Sequence, residues 1–372
     1  MMAFILLTIV VALYAIFILW CLIGWSRLPA RLYSDFHKES TVDVIIPMRN
    51  ESASIAMLVA SLSKQTYSHA RFLFVDDHST DQTISILQSE IEKYGLKNTT
   101  ILDSPSEGKK GAIDFAVRKS TAELILTTDA DCSVSPGWIR AMLLAADSTG
   151  ADFIAGPVML NKGSSLLEKM QSLEMIGLAG IAGASFAHAK PILCNGANLL
   201  YRKDAYLSVN GFTGSQTATG DDTQLMRKLS ETKGKKLFYL NDSNAVVSSN
   251  GLSKPSDFFR QRRRWASKIP YTLSPFTVVV SFIAFLTHFG LLLALPLVFI
   301  FPDFIEWYLT AFLLKIIPEF LFLKEVARLF NRKTNLLFFI FIQPVYWLYI
   351  TLVGLLVPAG AGKWKGRSLS IG

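Results

Sequence analysis

Three patterns of hydrophobic and polar positions follow one another along this chain. Residues 3 to 24 are apolar without a single charge. That is long enough for a helix crossing a bilayer, and Trp20 and Trp25 stand where aromatic rings anchor a membrane interface. No small-residue cleavage site follows, which predicts a retained anchor over 1–26 rather than a removed signal. From about 41 to 250, short apolar runs alternate with amphipathic segments. Residues 42–46, 72–75, 99–102 and 124–128 read as strands, and 52–64, 81–94 and 108–119 as helices. The alternation predicts an α/β fold with a mostly parallel central sheet, whose ligand lies beyond the carboxyl ends of the strands. After a basic stretch at 251–274, apolar runs at about 275–301, 304–323 and 336–358 predict two to three C-terminal transmembrane segments. A basic tail at 359–372 closes the chain.

Flanking charge orients these segments. Arg27, Arg31 and Lys38 follow the first span, which by the positive-inside rule places the 41–250 domain in the cytoplasm of a multi-pass inner (plasma) membrane protein. Lys324, Arg328, Arg332 and Lys333 ask for a cytoplasmic loop, and Lys363, Lys365 and Arg367 ask for a cytoplasmic tail. One full span between them cannot satisfy both. Either a segment is re-entrant or interfacial, with Pro344 a candidate break, or the tail departs from the rule. Glu306, Lys315 and Glu319 make the middle run the least apolar of the three.

A hydrophobic content of 51% agrees with a chain partly in lipid, and the formal charge of +8 is accounted for by membrane-flanking Lys and Arg. No aromatic-studded basic patch or zinc spacing accompanies that charge, so nucleic acid is not an expected partner. Cys21, Cys132 and Cys194 show no C-x-x-C spacing and read as small buried residues. His78, His188 and His288 lack metal-ligand spacing and read as polar or core positions.

Chemistry concentrates where the predicted strands end. Leu124-Ile125-Leu126-Thr127-Thr128 runs into Asp129-Ala130-Asp131. Strand alternation would turn both carboxylates to one side, an arrangement suited to Mg²⁺ or Mn²⁺ carrying substrate phosphates. An isolated D-x-D also serves as a helix cap. Two other strands end in Pro47-Met48-Arg49-Asn50-Glu51 and Asp76-Asp77-His78-Ser79-Thr80-Asp81, where the acids are open to a cap or turn role as well as a binding one. Further on stand Gly108-Lys109-Lys110-Gly111, Cys194-Asn195-Gly196-Ala197-Asn198, Gly220-Asp221-Asp222 and Gln261-Arg262-Arg263-Arg264-Trp265.

In this order, from about 41 to 268, these motifs, the 194–198 run apart, resemble the family 2 glycosyltransferases, membrane-bound inverting enzymes with a GT-A type nucleotide-binding fold. The resemblance implies that Pro47, Arg49, Glu51, Asp76 and Asp77 surround the nucleoside, with a carboxylate accepting from the uracil N–H. It implies that Lys109 or Lys110 meets the pyrophosphate, that Asp129 and Asp131 hold the metal, and that Asp222 removes the acceptor proton. Asp221 replaces the Glu common in relatives, and Asp114 an Asn; no role follows for Asp114. Gln261, Arg264 and Trp265 match Gln-x-x-Arg-Trp, with Trp a platform for a sugar face and Arg a fork for the diphosphate. The other reading of this segment is a basic helix on anionic headgroups, with Arg260, Arg262 and Arg263 as anchors.

The expected activity is sugar transfer from a UDP-sugar to a hydroxyl acceptor, most simply a membrane lipid, since about four spans are few for a polymer tunnel. A processive polysaccharide synthase with a glycan acceptor is the alternative, and a non-catalytic membrane nucleotide-binding protein a further one.

Overall fold

The computed structural model describes residues 2–29, 40–213, 221–266, 274–333, 336–356, 363–364 and 367–368. Gly220, Arg31, Lys38 and Lys365 lie outside the described residues, as do the side chains of Asp221, Lys363 and Arg367.

The four expected strands form, each close to its apolar run: β1 (Val42–Met48), β2 (Ala70–Asp76), β3 (Thr99–Asp103) and β4 (Leu124–Thr127). They alternate with α2 (Ile55–Leu62), α3 (Thr83–Tyr94) and α4 (Lys109–Lys119). β1 is buried along its whole length, as an inner parallel strand covered on both faces must be. The sheet continues through β6 (Phe153–Ala155), β8 (Leu199–Arg202) and β9 (Leu237–Tyr239) in the order β3-β2-β1-β4-β8-β6-β9. It is mostly parallel, but β8 runs antiparallel to both β4 and β6. A second sheet pairs β5 (Cys132–Val134) and β7 (Val158–Leu160) with β10 (Val247–Ser249).

One buried side chain knits these parts. Asn198 is fully buried, donates to the carbonyls of Pro157 (2.9 Å) and Ala245 (2.7 Å), and accepts from Trp138 Nε1 at 2.9 Å. Trp138 opens α5 (Trp138–Thr149), so one amide joins α5 to the approaches of both β7 and β10. All three cysteines are buried, as expected.

The long apolar runs form α1 (Met2–Ser26), α10 (Pro275–Ile300) and α12 (Leu336–Leu356), and three helices are long and apolar enough to cross a membrane: Phe4–Ser26, Pro275–Ile300 and Leu337–Leu356. Leu6, Ile16, Phe282, Phe299 and Phe341 point outward, an apolar belt of the kind that marks a membrane or protein contact. The charged middle run is also a continuous helix, α11 (Ile305–Leu329), in which Lys315 and Glu319 turn inward while Glu306 stays exposed. Lys315 Nζ donates to Glu319 (2.6 Å) and to Gln343 of α12 (2.7 Å), and Tyr14 of α1 donates to Glu319. α12 runs unbroken through Pro344.

Arg332, in the connection from α11 to α12, donates to the Leu160 carbonyl of β7 at 2.9 Å, so that connection lies against the sheet domain. Tyr349, more than three turns into α12, still donates to Glu174 (2.7 Å) and stacks near Phe258. α12 therefore packs on α6 and on the segment bearing Phe258 as well as on its neighbours in the bundle.

The long helix α6 (Leu166–Ala187) couples the sheets to this bundle. It starts in a capping box between Ser165 and Glu168. At its far end His188 stacks on Trp20 of α1 at 4.2 Å, a packing role that agrees with the polar or core reading. A Cβ at Gly180 would stand 2.5 Å from Phe322, and one at Gly183 2.8 Å from Trp25, so these glycines permit close helix contact.

Candidate active site

The loops after β1 and β2 interlock before any ligand arrives. Asn50 and His78 adopt left-handed backbone (φ 50° and 58°), uncommon for residues with a side chain. The Asn50 amide donates to Ser79 Oγ (3.1 Å), Thr80 N donates to Asn50 Oδ1 (2.8 Å), and Glu51 N donates to Thr83 Oγ1 (2.7 Å). Asp81 accepts from Ser52 N and from Thr83 N (3.0 Å); burial opposes its ionisation, yet these bonds hold its pKa down to about 2. Asp81 thus serves the turn into α3.

The two acids ending β2 diverge in role. Asp77 Oδ1 accepts from Gly108 N at 2.9 Å, securing the turn that carries Lys109, while Arg49 Nη1 donates to the Asp77 carbonyl at 2.8 Å. Asp76 is buried; one carboxylate oxygen accepts from Ser79 N (3.1 Å), and the other, Oδ1, has no hydrogen-bond partner among the described residues. A buried acceptor left open in this way suits a donor supplied by a ligand. Pro47 is buried in β1 one residue before its end.

Asp129 and Asp131 converge for a reason other than strand pleat. β4 stops at Thr127, and the two acids sit in a turn closed by Cys132 N donating to the Asp129 carbonyl at 3.1 Å. Lys109 Nζ lies 2.5 Å from Asp129 Oδ1. Asp131 is exposed at its surface, yet crowding around its carboxylate costs it hydration. That loss, reinforced by the charges of Asp129 and Glu51, pushes its pKa up to about 6 despite Lys109.

Asp222 meets this group from far along the chain. It lies in the first turn of α8 (Asp221–Glu231); Oδ2 accepts from Gly196 N at 3.0 Å and Oδ1 from Thr223 N at 2.7 Å. A Cβ built on Gly196 would stand 3.5 Å from both Asp222 Cβ and Lys109 Nζ. Lys109 thus stands between the Asp129 carboxylate and the Asp222 side. The Gly196 carbonyl in turn accepts from Thr127 Oγ1 of β4 at 3.1 Å. Gly196 is the residue that sequence reasoning passed over. Its signal was the small, polar run Asn195-Gly196-Ala197-Asn198, with no chemistry of its own to announce it.

The Gln-x-x-Arg-Trp residues sit on α9 (Pro255–Ala266), and here one expectation is corrected. Arg262 is no headgroup anchor: it is 3% exposed, donates to Glu174 of α6 through Nε at 2.8 Å, and lies over the rings of Phe258 (4.7 Å) and Trp265 (4.2 Å). A guanidinium without water needs a carboxylate, and Glu174 supplies it. Gln261 accepts from Arg262, one face of Trp265 is covered by it, and Arg264 is half-buried. Asp114, given no role above, accepts from Arg118 (2.7 Å) and Tyr206 (2.8 Å), a packing function.

A metal would have to be shared. Among the described residues no three His, Cys, Asp or Glu side chains are grouped to hold an ion. Two carboxylates with surplus negative charge, evident in the raised Asp131, fit a divalent cation that takes its remaining ligands from a diphosphate.

A mostly parallel sheet with acids gathered at its strand ends, and a further carboxylate facing them across a lysine, is an arrangement of GT-A type. Residues 43–208 match the model of Glycosyl transferase family 2. It is 26% identical over 253 residues to the uncharacterized glycosyltransferase YaiP of Escherichia coli, covering 67% of this chain and 60% of that one. It is 28% identical over 152 residues to the undecaprenyl-phosphate 4-deoxy-4-formamido-L-arabinose transferase of Edwardsiella ictaluri, covering 39% and 45%. The chain spans 56% to 60% of the length of the first curated relatives it matches. Its fold is that of the Pyrobaculum calidifontis mannosyltransferase PcManGT, solved with GDP-Man and Mn²⁺. The TM-score is 0.59 at 17% identity, over 95% of this chain and 98% of that one, so the likeness takes in terminal helices as well as the sheet.

Proposed function

We propose that this chain is an inverting transferase that moves a sugar from a UDP-sugar to a hydroxyl of a membrane lipid at the cytoplasmic face of the inner membrane. The observation that carries the reading is the approach of Asp222 to Asp129 through Lys109 and Gly196. The acceptor O–H attacks the anomeric carbon, Asp222 takes its proton, and the bond to the diphosphate breaks on the opposite face. Two backbone amides, those of Gly196 and Thr223, orient the Asp222 carboxylate. Lys109 leaves Asp129 for the departing diphosphate, as a mobile point charge. Asp129 and Asp131 would hold Mg²⁺ or Mn²⁺, which neutralises charge on the leaving group. Asp76 Oδ1 accepts the base N–H, with Pro47, Arg49, Glu51 and Asp77 framing the nucleoside; Asp221, Gln261, Arg264 and Trp265 serve the acceptor side, and Lys110 the diphosphate.

Lipid is favoured as acceptor because the domain rests on apolar helices, and a relative found by sequence is named for an undecaprenyl-phosphate substrate.

The test incubates membranes with labelled UDP- and GDP-sugars and Mn²⁺ or Mg²⁺, then separates lipid from polymer. Label should enter the lipid fraction with a UDP-sugar, vanish with chelator, and fall at least about 10³-fold in D222N while UDP still binds. Label in polymer alone, or undiminished transfer by D222N, overturns the reading.

A further inference from the structure

A cavity of about 220 Å³ lies where α1, α6, α11 and α12 meet, away from the acid recess. Its walls are largely apolar, with Ile18, Leu173, Leu323 and Ile342 among them. Two acids also line it, and both are already satisfied. Glu319 carries Lys315 and Tyr14, and Glu174 carries Arg262 and Tyr349. A cation therefore gains little here, and water finds few open partners. Apolar cavities of about 150 Å³ stay dry and take up hydrocarbon.

Gly177 makes the case specific. Glycine inside a helix is destabilising relative to alanine, so it calls for a reason. Gly180 and Gly183 on the same helix have one, since a Cβ there would strike Phe322 or Trp25. At Gly177 the nearest atom to such a Cβ is Leu323 Cδ2 at 3.5 Å, an ordinary contact. The missing side chain lines the cavity and leaves it open.

We propose that this cavity seats one apolar chain of the acceptor lipid, an inference that rests on the lipid-acceptor reading above. The helices around it carry the outward apolar belt, so hydrocarbon is the solvent at hand. The Glu174 end is closed by Arg262 of α9, the helix bearing Gln261, Arg264 and Trp265. A chain seated there would leave its polar head beside those residues, facing the donor site.

Gly177→Leu fills the space with a residue the backbone accepts, and Gly177→Ala serves as the mild control. A membrane alcohol with a diazirine in its chain is photolysed with the full-length protein, and labelled peptides are mapped. Label should fall on residues 173–178, 319–323 and 339–350 in wild type and G177A, and be lost in G177L. G177L should also raise KM for the lipid acceptor at least tenfold while UDP release to water is unchanged. Label spread over the outer belt and indifferent to G177L overturns the proposal, as does native mass spectrometry showing a second chain rather than lipid held by this face. Cavity labelling in a protein that makes only polymer would sink the acceptor assignment and leave the hydrocarbon site standing, so the two failures are distinguishable.

Discussion

The backbone amide of Gly196 donates to the Asp222 carboxylate across 3.0 Å, and the same glycine's open α-carbon faces Lys109 Nζ. Residues from four separate segments thus share one small space, with Asp129 held on the far side of the lysine at 2.5 Å. Four side-chain substitutions probe what this arrangement does.

Lys109→Met removes the cation now shared between Asp129 and the Asp222 side. The expected result is a rise of about tenfold in KM for the donor with a smaller loss in kcat, because a ground-state diphosphate contact is lost. Lys109→Arg should recover part of it. Steady-state kinetics at saturating metal makes the comparison; an unchanged KM would place Lys109 outside donor binding.

Asp131 sets a pH dependence in the metal-free protein. Its folded pKa, about 6, lies above the value of 3.8 for an unperturbed carboxyl, so ionising it costs the native state more than the unfolded one. The contribution to stability is undiminished below about 4, shrinks between about 4 and 6 and stays lost above. Asp131→Asn should therefore raise the Tm of metal-free protein at pH 7, by a gain under about 1 kcal/mol because solvent reaches the group. It should leave pH 4 nearly unchanged and abolish transfer. Equal Tm shifts at both pH values would contradict the assignment.

Asp76→Asn tests the open carboxylate oxygen. Ser79 N occupies one side of the group, so asparagine must turn its NH₂ either toward that amide or toward the base, each a donor facing a donor. UDP affinity by calorimetry should fall roughly tenfold, in line with about 1–3 kcal/mol for a mismatched buried hydrogen bond. Unaltered affinity would leave Asp76 a turn residue.

Arg262→Met strands Glu174 in a nearly dry setting and should destabilise the detergent-solubilised protein by about 3–5 kcal/mol. The double variant Arg262→Met, Glu174→Met should recover much of that, since the uncompensated charge is gone. If Arg262 were a headgroup anchor instead, the single change would alter membrane retention and spare Tm.

Much of this molecule was legible in one dimension. β1 to β4 declared themselves as apolar runs ending in polar clusters, and three of the long helices as charge-free stretches, because burial in a sheet or in lipid selects composition residue by residue. The acids 76, 77, 129, 131 and 222 stood out by their motifs. What folding alone decided were the partners. Asp129 and Asp131 converge through a turn after β4, the Gly196 amide holds Asp222, and β8 enters antiparallel between β4 and β6. Arg262 turns inward to Glu174, and Lys315 and Glu319 face each other inside a helix that composition marked as doubtful. Hydrophobic periodicity reports which face of an element is buried, but not against what. That choice belongs to packing across large sequence separations, where a carboxylate or guanidinium is held by whichever group the assembled elements bring within hydrogen-bond reach.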